Sequence, residues 1–245
     1  FYRKQKGKME RVVLITGGNR GIGLATAKTF AAKGNKVAIT YRETPPDGIE
    51  DLGIHSFSCD VTDQDQVDKA FKEVEETLGT VEILIANAGI TRDALTARTS
   101  DTDFSEVLDT NLTGAFRTAK KALRGMMKNR WGRVVFISSL SGRIGQIGQS
   151  SYAASKSALV GLSRSLAKEY ASRNITVNVV APGAIKTEML EKLSDDQINE
   201  YIESIPLGRL GEPEEIGEII AFLSSEQAAY ITGSVIPVDG SLYMG

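Results

Sequence analysis

One cysteine, one histidine and one tryptophan are found among 245 residues. A single cysteine, Cys59, excludes an internal disulfide. With only His55 beside it in the inventory, neither a structural zinc site nor a Cys–His nucleophile pair can be assembled, so no metal is expected. His55 reads as an ordinary strand residue. Charge of one sign is also lacking: the formal net charge of −2 is too balanced for a nucleic-acid or membrane-surface binder. No apolar run approaches the roughly 20 residues needed to span a bilayer. These absences together predict a soluble, cytoplasmic protein with no nucleic-acid partner and no integral membrane segment. The local exception is the N-terminus, where Arg3, Lys4, Lys6, Lys8 and Arg11 crowd together. Residues 1–10 lack the apolar run of a signal peptide and are expected to be a flexible basic tail. Met9 is a candidate start, leaving residues 1–8 as either an appended remnant or a native extension.

Glycine, by contrast, is plentiful and placed with purpose. The apolar run RVVLIT at 11–16 leads directly into GGNRGIG and then into a helical pattern carrying Ile22, Ala25, Ala27 and Phe30. Strand, glycine turn and helix in that order are what a phosphate-cradling loop requires. The spacing is Gly17-x-x-x-Gly21-x-Gly23, with Gly18 in addition. Gly17 permits the tight turn, and Gly21 and Gly23 permit close approach of a pyrophosphate and of helix to strand. A second strand, KVAITYR at 36–42, ends in Tyr41 and Arg42, with Glu43 next. A carboxylate at such a tip would hold the ribose 2′-hydroxyl of NAD, whereas a cation suits the 2′-phosphate of NADP. Arg42, with Arg20 from the glycine loop, therefore predicts NADP.

Further strands follow at 55–59, ending in Cys59-Asp60-Val61, at VEILIANAG with Asn87, Ala88 and Gly89 at its tip, and at GRVVFISS. The last two are ITVNVVAPG, ending in Pro182 and Gly183, and SVIPVDG. Between them lie helical patterns: 63–79 with Val67, Phe71, Val74 and Leu78 inward, and a long helix over 101–129 with Phe104, Val107, Leu108, Leu112, Ala115, Phe116, Ala119, Leu123 and Met127 on one stripe. Asn111, a modest helix former, falls in the middle of the latter, either as a tolerated surface residue or as a polar group held for a purpose. Alternating strands and helices predict one α/β domain over 11–245, a doubly wound Rossmann fold with a seven-stranded parallel sheet and helices on both faces. Residues 184–211 break the rhythm with a polar insertion and are a candidate lid.

The last helix pattern of note, 150–170, carries Tyr152 and Lys156 near its start. Four residues advance a helix by about 6 Å and return to nearly the same face, so phenol and ammonium project side by side. A fixed cation would favour the phenolate; bringing a tyrosine to neutrality requires about 4 kcal/mol of differential stabilisation.

With these residues in place, the chain resembles the short-chain dehydrogenase/reductase family from Arg11 to Tyr243. Thr16-Gly17-x-x-x-Gly21-x-Gly23, Asn87-Ala88-Gly89, Asn111, Ser139, Tyr152-x-x-x-Lys156 and Pro182-Gly183 match its motifs in order and spacing. Within the family, TGGNRGIG, NLTGAF, YAASK, ITVNVVAPG and IPVDG are most similar to the 3-oxoacyl-[acyl-carrier-protein] reductases, in wording close to the actinobacterial, mycolic-acid branch. The resemblance implies NADPH-dependent reduction of 3-oxoacyl-[acyl-carrier-protein] to the (3R)-3-hydroxyacyl form in fatty-acid or mycolic-acid synthesis. It implies Tyr152 as general acid and Lys156 as the group that lowers its pKa and holds the nicotinamide ribose. Ser139 would orient the carbonyl oxygen, in preference to adjacent Ser138, and Asn111 would hold a relay water.

For NADP(H), the resemblance places Gly17, Gly21, Ile22 and Gly23 at the pyrophosphate, Asn19, Arg20 and Arg42 at the 2′-phosphate, and Asp60 and Val61 at the adenine. Asn87, Ala88 and Gly89 would line the ribose, and Pro182, Gly183, Ile185 and Thr187 the nicotinamide. Arg130 and Arg173 match positions that meet the carrier protein, and a homotetramer is implied, joined through the two long helices and the last strand. Ser151 and Ser241 depart from the usual pattern, which has Asn and Gly there. The same scaffold also carries reductases of acetoacetyl-CoA, steroids, sugars and quinones. A non-catalytic NADP-binding regulator would be marked by a lost Tyr or Lys, and both are present.

Overall fold

The computed structural model describes residues 10–188, 190 and 195–244. The basic tail expected at 1–10 lies, apart from Glu10, outside these residues, as does part of the candidate lid. The strands are β1 (Val12–Ile15), β2 (Lys36–Tyr41), β3 (Ile54–Ser58), β4 (Ile83–Ala86), β5 (Gly132–Ile137), β6 (Ile175–Pro182) and β7 (Val235–Val238). All pair in parallel in the order β3-β2-β1-β4-β5-β6-β7. The helices are α1 (Gly21–Ala32), α2 (Gln64–Thr77), α3 (Asp101–Leu108), α4 (Gly114–Asn129), α5 (Ser141–Ile144), α6 (Ser150–Tyr170), α7 (Asp195–Ser204) and α8 (Pro213–Leu223).

Strand residues alternate between two cores because successive side chains leave opposite faces of a sheet. Leu14, Leu84, Val134, Phe136 and Val177 meet Phe71, Val74, Leu123, Met126 and Leu159 of α2, α4 and α6. Val13, Ile15, Ile85 and Val135 meet Phe30, Ile216 and Ile220 of α1 and α8. Each such fully buried side chain contributes about 1.5–3 kcal/mol of apolar burial. A sheet covered on both faces needs apolar residues at every strand position, and β1, β4, β5 and β6 are buried throughout. The winding reverses between β1 and β4, and the crevice at their carboxyl ends is where such sheets bind ligands.

One expectation needs correction. The helix predicted over 101–129 is interrupted by a π-helical turn, Asp109–Thr113, which contains Asn111. A turn bonded i→i+5 takes in extra chain and shifts the buried face. Beyond it α4 buries Ala115, Ala119, Ala122, Leu123 and Met126, leaving Phe116 and Met127 exposed although the predicted stripe turned them inward; Phe104, before the turn, is exposed as well. The 184–211 segment contains α7, and its base is closed where Ile185 and Gly211 form a bridge, with Gly211 donating to the Ala184 carbonyl at 3.0 Å.

Candidate active site

The glycine loop is shaped by contacts that admit no side chain. Gly17 and Gly21 take positive φ, +61° and +51°. A Cβ on Gly23 would sit 2.4 Å from the Gly17 carbonyl oxygen, and one on Gly18 2.5 Å from Ile39 Cγ2. Gly18, only an additional glycine in the motif, is therefore as constrained as the rest. Helix α1 starts at Gly21 with no side chain capping it and no acid in its first turn. Its first N–H groups and the positive end of its dipole are thus directed at whatever binds the loop, and a pyrophosphate fits both.

Asn87 braces this loop across the crevice. Its Nδ2 donates to the carbonyls of Thr16 (3.0 Å) and Gly17 (2.9 Å), while Thr16 Oγ1 accepts the amides of Asn87 and Ala88, both at 3.1 Å. At the outer end Asn19 reaches past β2 to the Thr44 carbonyl at 3.2 Å. The two arginines expected at a 2′-phosphate each pair with a different carboxylate. Arg42 donates twice to Glu43, at 3.0 and 2.6 Å, and Arg20 meets Glu188 at 3.3 Å, tying the glycine loop to the segment after β6. Both pairs are largely exposed, so each holds its arginine by at most about 1 kcal/mol. The chemistry of two exposed guanidiniums at the β2 tip and loop fits a phosphate monoester.

Asp60 closes a turn by accepting the Thr62 amide and hydroxyl at 2.8 and 2.7 Å. Val61 is buried against Gly114, whose Cβ would lie 2.6 Å from Val61 Cγ2. Its main chain, rather than its side chain, faces Arg117, which donates to the Val61 carbonyl at 3.3 Å. Pro182 and Gly183 lock the β6 tip: the Pro182 carbonyl accepts Leu140 N at 2.8 Å, and Gly183 N donates to Val238 O at 3.0 Å. Ile185 is buried, and Thr187 lies against Gly21, opposite the start of α1.

The reacting groups gather where β4, β5 and α6 meet. Tyr152 sits in the first turn of α6, and the Ser139 hydroxyl, just past the end of β5, lies close enough to its phenol to favour the ionised form. Ser138 is occupied elsewhere, donating to the Lys156 carbonyl at 2.8 Å. Lys156 is 4% exposed; its Nζ donates to the Ile137 carbonyl at 2.8 Å and lies 5.6 Å from the Tyr152 ring centroid. Asn111 is also buried, and its side chain bridges the β4 loop to α6: Oδ1 accepts Ile90 N (2.8 Å), and Nδ2 donates to Ile90 O and Ser155 Oγ (both 3.0 Å). Both of its N–H groups are thereby committed, so the side chain acts as a brace between the two elements. Gly89 closes the gap between them, since a Cβ there would lie 3.2 Å from both Asn111 Oδ1 and Lys156 Nζ.

Burial pushes the Tyr152 phenol above its ordinary value, opposed by the Ser139 hydroxyl and reinforced by the Asp93 carboxylate. Burial lowers Lys156 itself to about 8. Spacing placed the two side chains on one face, as expected, but the lysine's contact is the Ile137 carbonyl.

Arg130 and Arg173 come together, away from this crevice. Arg130 ends α4 in a left-handed conformation and donates to the Ser172 carbonyl at 3.4 Å, beside Arg173. Both precede β5 and β6, at the amino ends of strands whose carboxyl ends carry Ser139 and Pro182. Sequence reasoning missed Asp93 and Gln149, hydrogen-bonded at 2.9 Å beside the first turn of α6. No motif marks either, and their separation of 56 positions leaves no periodic signal. Among the described residues no helix is long and apolar enough to cross a membrane, and no group of His, Cys, Asp and Glu could hold a metal.

A doubly wound sheet with a glycine loop at its switch point and a Ser–Tyr–Lys group at the neighbouring strand ends defines a nucleotide-dependent oxidoreductase architecture, and the chain belongs to the short-chain dehydrogenase/reductase family. A family model described as enoyl-(acyl carrier protein) reductase matches residues 17–242. The chain is 48% identical over 237 residues to the 3-oxoacyl-[acyl-carrier-protein] reductase MabA of Mycobacterium tuberculosis, covering 97% of this chain and 94% of the relative. It is 46% identical over 238 residues to the 3-oxoacyl-[acyl-carrier-protein] reductase FabG of Escherichia coli, covering 96% and 98%. Carbonyl reductase family member 4 of Xenopus laevis is similar at 46% over 239 residues, covering 96% and 99%.

Proposed function

We propose that the protein is an NADPH-dependent reductase of 3-oxoacyl groups carried on acyl carrier protein, working in the cytoplasm as a homotetramer in fatty-acid or mycolic-acid synthesis. The observation that carries the reading is the Ser139 hydroxyl set beside the Tyr152 phenol: two hydroxyls at one point offer two O–H donors to a single oxygen. Reduction of a ketone builds negative charge on its oxygen and needs a proton there, and this arrangement serves both demands. Reduction of a carbon–carbon double bond, the chemistry of the family model's description, needs its proton on carbon, so the geometry favours the carbonyl reaction of the curated relatives.

NADPH, when bound, supplies the hydride. Tyr152, held protonated by burial, donates the proton; Ser139 orients the oxygen. Lys156, near neutrality in pKa, holds the nicotinamide ribose and passes a replacement proton towards the phenol, while Asn111 keeps the Gly89–Ile90 segment against α6. The glycine loop holds the pyrophosphate; Asn19, Arg20 and Arg42 take the 2′-phosphate; Asp60 and Val61 border the adenine; and Pro182, Gly183, Ile185 and Thr187 face the nicotinamide. Arg130 and Arg173 offer paired cations to an acidic carrier protein.

The test is NADPH oxidation with an acetoacetyl group on acyl carrier protein against the same group on coenzyme A. A strong preference for the carrier protein is expected. Equal or inverted rates would move the substrate to coenzyme A esters or free ketones. Tyr152→Phe is expected to abolish turnover and spare NADPH binding; full activity in that variant would remove Tyr152 as the acid.

A further inference from the structure

We propose that Ser138 is a positioning residue for the reaction: its hydroxyl fastens the main chain of α6 at Lys156 to the end of β5, and so sets where the lysine and the phenol one turn before it stand. The inference rests on the reading of Tyr152 and Lys156 as the groups that donate and resupply the proton.

Ile137, Ser138 and Ser139, at and just past the end of β5, all face this helix, and each has a separate task. Ile137 accepts Lys156 Nζ on its carbonyl at 2.8 Å. Ser138 donates its hydroxyl to the Lys156 carbonyl, also at 2.8 Å. The Ser139 hydroxyl stands beside the Tyr152 phenol and accepts Ser141 N at 3.2 Å. Lys156 is therefore held at both ends, its ammonium by one residue and its backbone by the next. Ser138 is itself fixed, because Ser138 N donates to Val180 O and Leu140 N to Pro182 O, both at 2.8 Å, which ties this stretch to β6.

The Lys156 carbonyl lies inside a helix of 21 residues, where a carbonyl accepts the amide four positions on. A second donor from the strand end is not needed to form the helix; what it adds is the height of α6 against β5. The seat is narrow as well. A Cβ on Gly142 would lie 2.9 Å from both the carbonyl carbon and the Cβ of Lys156, so the chain after Ser139 presses on the same turn. Ser138 is 3% exposed, and the bond it makes is buried.

Tyr152 precedes Lys156 by one turn, about 6 Å along the axis, so a shift of the helix at the lysine is carried to the phenol. Misplacement of reacting groups by about 1 Å costs on the order of 10²-fold in rate. The glycine loop is braced separately, by Asn87, and does not depend on this contact.

The experiment measures kcat per folded enzyme with NADPH and acetoacetyl-coenzyme A, and Kd for NADPH by fluorescence titration, in wild type, Ser138→Ala, Ser138→Cys and Ser138→Thr. Ser138→Ala is expected to lower kcat by roughly 10–100-fold while Kd changes by less than about threefold. Ser138→Thr keeps the hydroxyl and is expected to stay within about threefold of wild-type kcat, whereas Ser138→Cys, similar in size but a weak donor, is expected to lose activity as the alanine variant does. Wild-type kcat in Ser138→Ala, or in Ser138→Cys should the alanine variant not fold, overturns the proposal. So does an equal loss in Ser138→Thr, which would make volume rather than the hydroxyl the cause, and so does a loss confined to thermal stability or to Kd. Turnover by Tyr152→Phe would instead strike the assignment of the acid, a separate failure.

Discussion

Thr16 and Asn87 join the two strand ends at which the sheet reverses its winding, each donating to or accepting from the other's main chain, at 3.1 Å to the Thr16 hydroxyl and 3.0 Å to the Thr16 carbonyl. The phosphate loop is therefore shaped from the β4 side as well as by its own glycines. Asn87→Ala removes the donor to two carbonyls and is expected to lower stability by about 1–3 kcal/mol. Because the pyrophosphate is common to both cofactors, NADPH and NADH should weaken together. Urea unfolding and cofactor titration check this; an unchanged midpoint would mean that the loop stands without its brace.

At the β2 tip, the arginine proposed to take the 2′-phosphate is paired with Glu43. Arg42→Ala is expected to weaken NADPH by about tenfold or more and NADH little, the loss of one charge-assisted hydrogen bond. Glu43→Gln should do the reverse, tightening NADPH by up to about fivefold. Equal losses for both cofactors in Arg42→Ala would remove it from the 2′-phosphate.

Lys156 is a buried cation with its pKa lowered to about 8 from an ordinary value of 10.5. Below about 8 the folded protein holds a charge it disfavours relative to the unfolded chain, and this cost is relieved as pH rises from 8 towards 10.5. Lys156→Met is thus expected to abolish activity yet raise stability near pH 7, by no more than about 3 kcal/mol and less after loss of the bond to Ile137. Denaturation at a pH above 10 should show the gain gone. A destabilised variant at neutral pH would contradict the sign.

Gly23 offers a steric test. A Cβ there meets the Gly17 carbonyl oxygen at 2.4 Å, and a backbone atom cannot step aside as a side-chain end can. Gly23→Ala is expected to cost about 1–3 kcal/mol and to open the loop, with loss of cofactor binding exceeding any loss caused by Gly161→Ala, where nothing stands nearby. Comparable behaviour of the two variants would show that the loop yields.

Much of the site was legible because its signals are local. Gly17, Gly21 and Gly23 follow a strand and open a helix, and Tyr152 and Lys156 share a helix face, so adjacency along the chain implies adjacency in space. Strands β1, β4, β5 and β6 were readable because burial on both faces leaves nearly continuous apolar runs. The stripe through Phe116 and Met127 failed because a π-helical turn has no hydrophobic period of its own, and one such turn rotates everything after it. Arg20 was legible as a cation near the nucleotide, but its pairing with Glu188 spans 168 positions and depends on how the chain returns after β6.

The sequence alone determined which groups are available: no metal-ligand set, one phosphate loop, one Tyr–Lys helix, and an alternation of strand and helix that leaves few ways to wind. Tertiary structure decided how those groups behave. Packing β4, β5 and α6 side by side buried Tyr152 and Lys156, brought Ser139 to the phenol, turned the lysine to Ile137 and set Asp93 against the start of the catalytic helix. Protonation state depends on desolvation and on charges from distant parts of the chain, and those quantities exist only once the chain is folded.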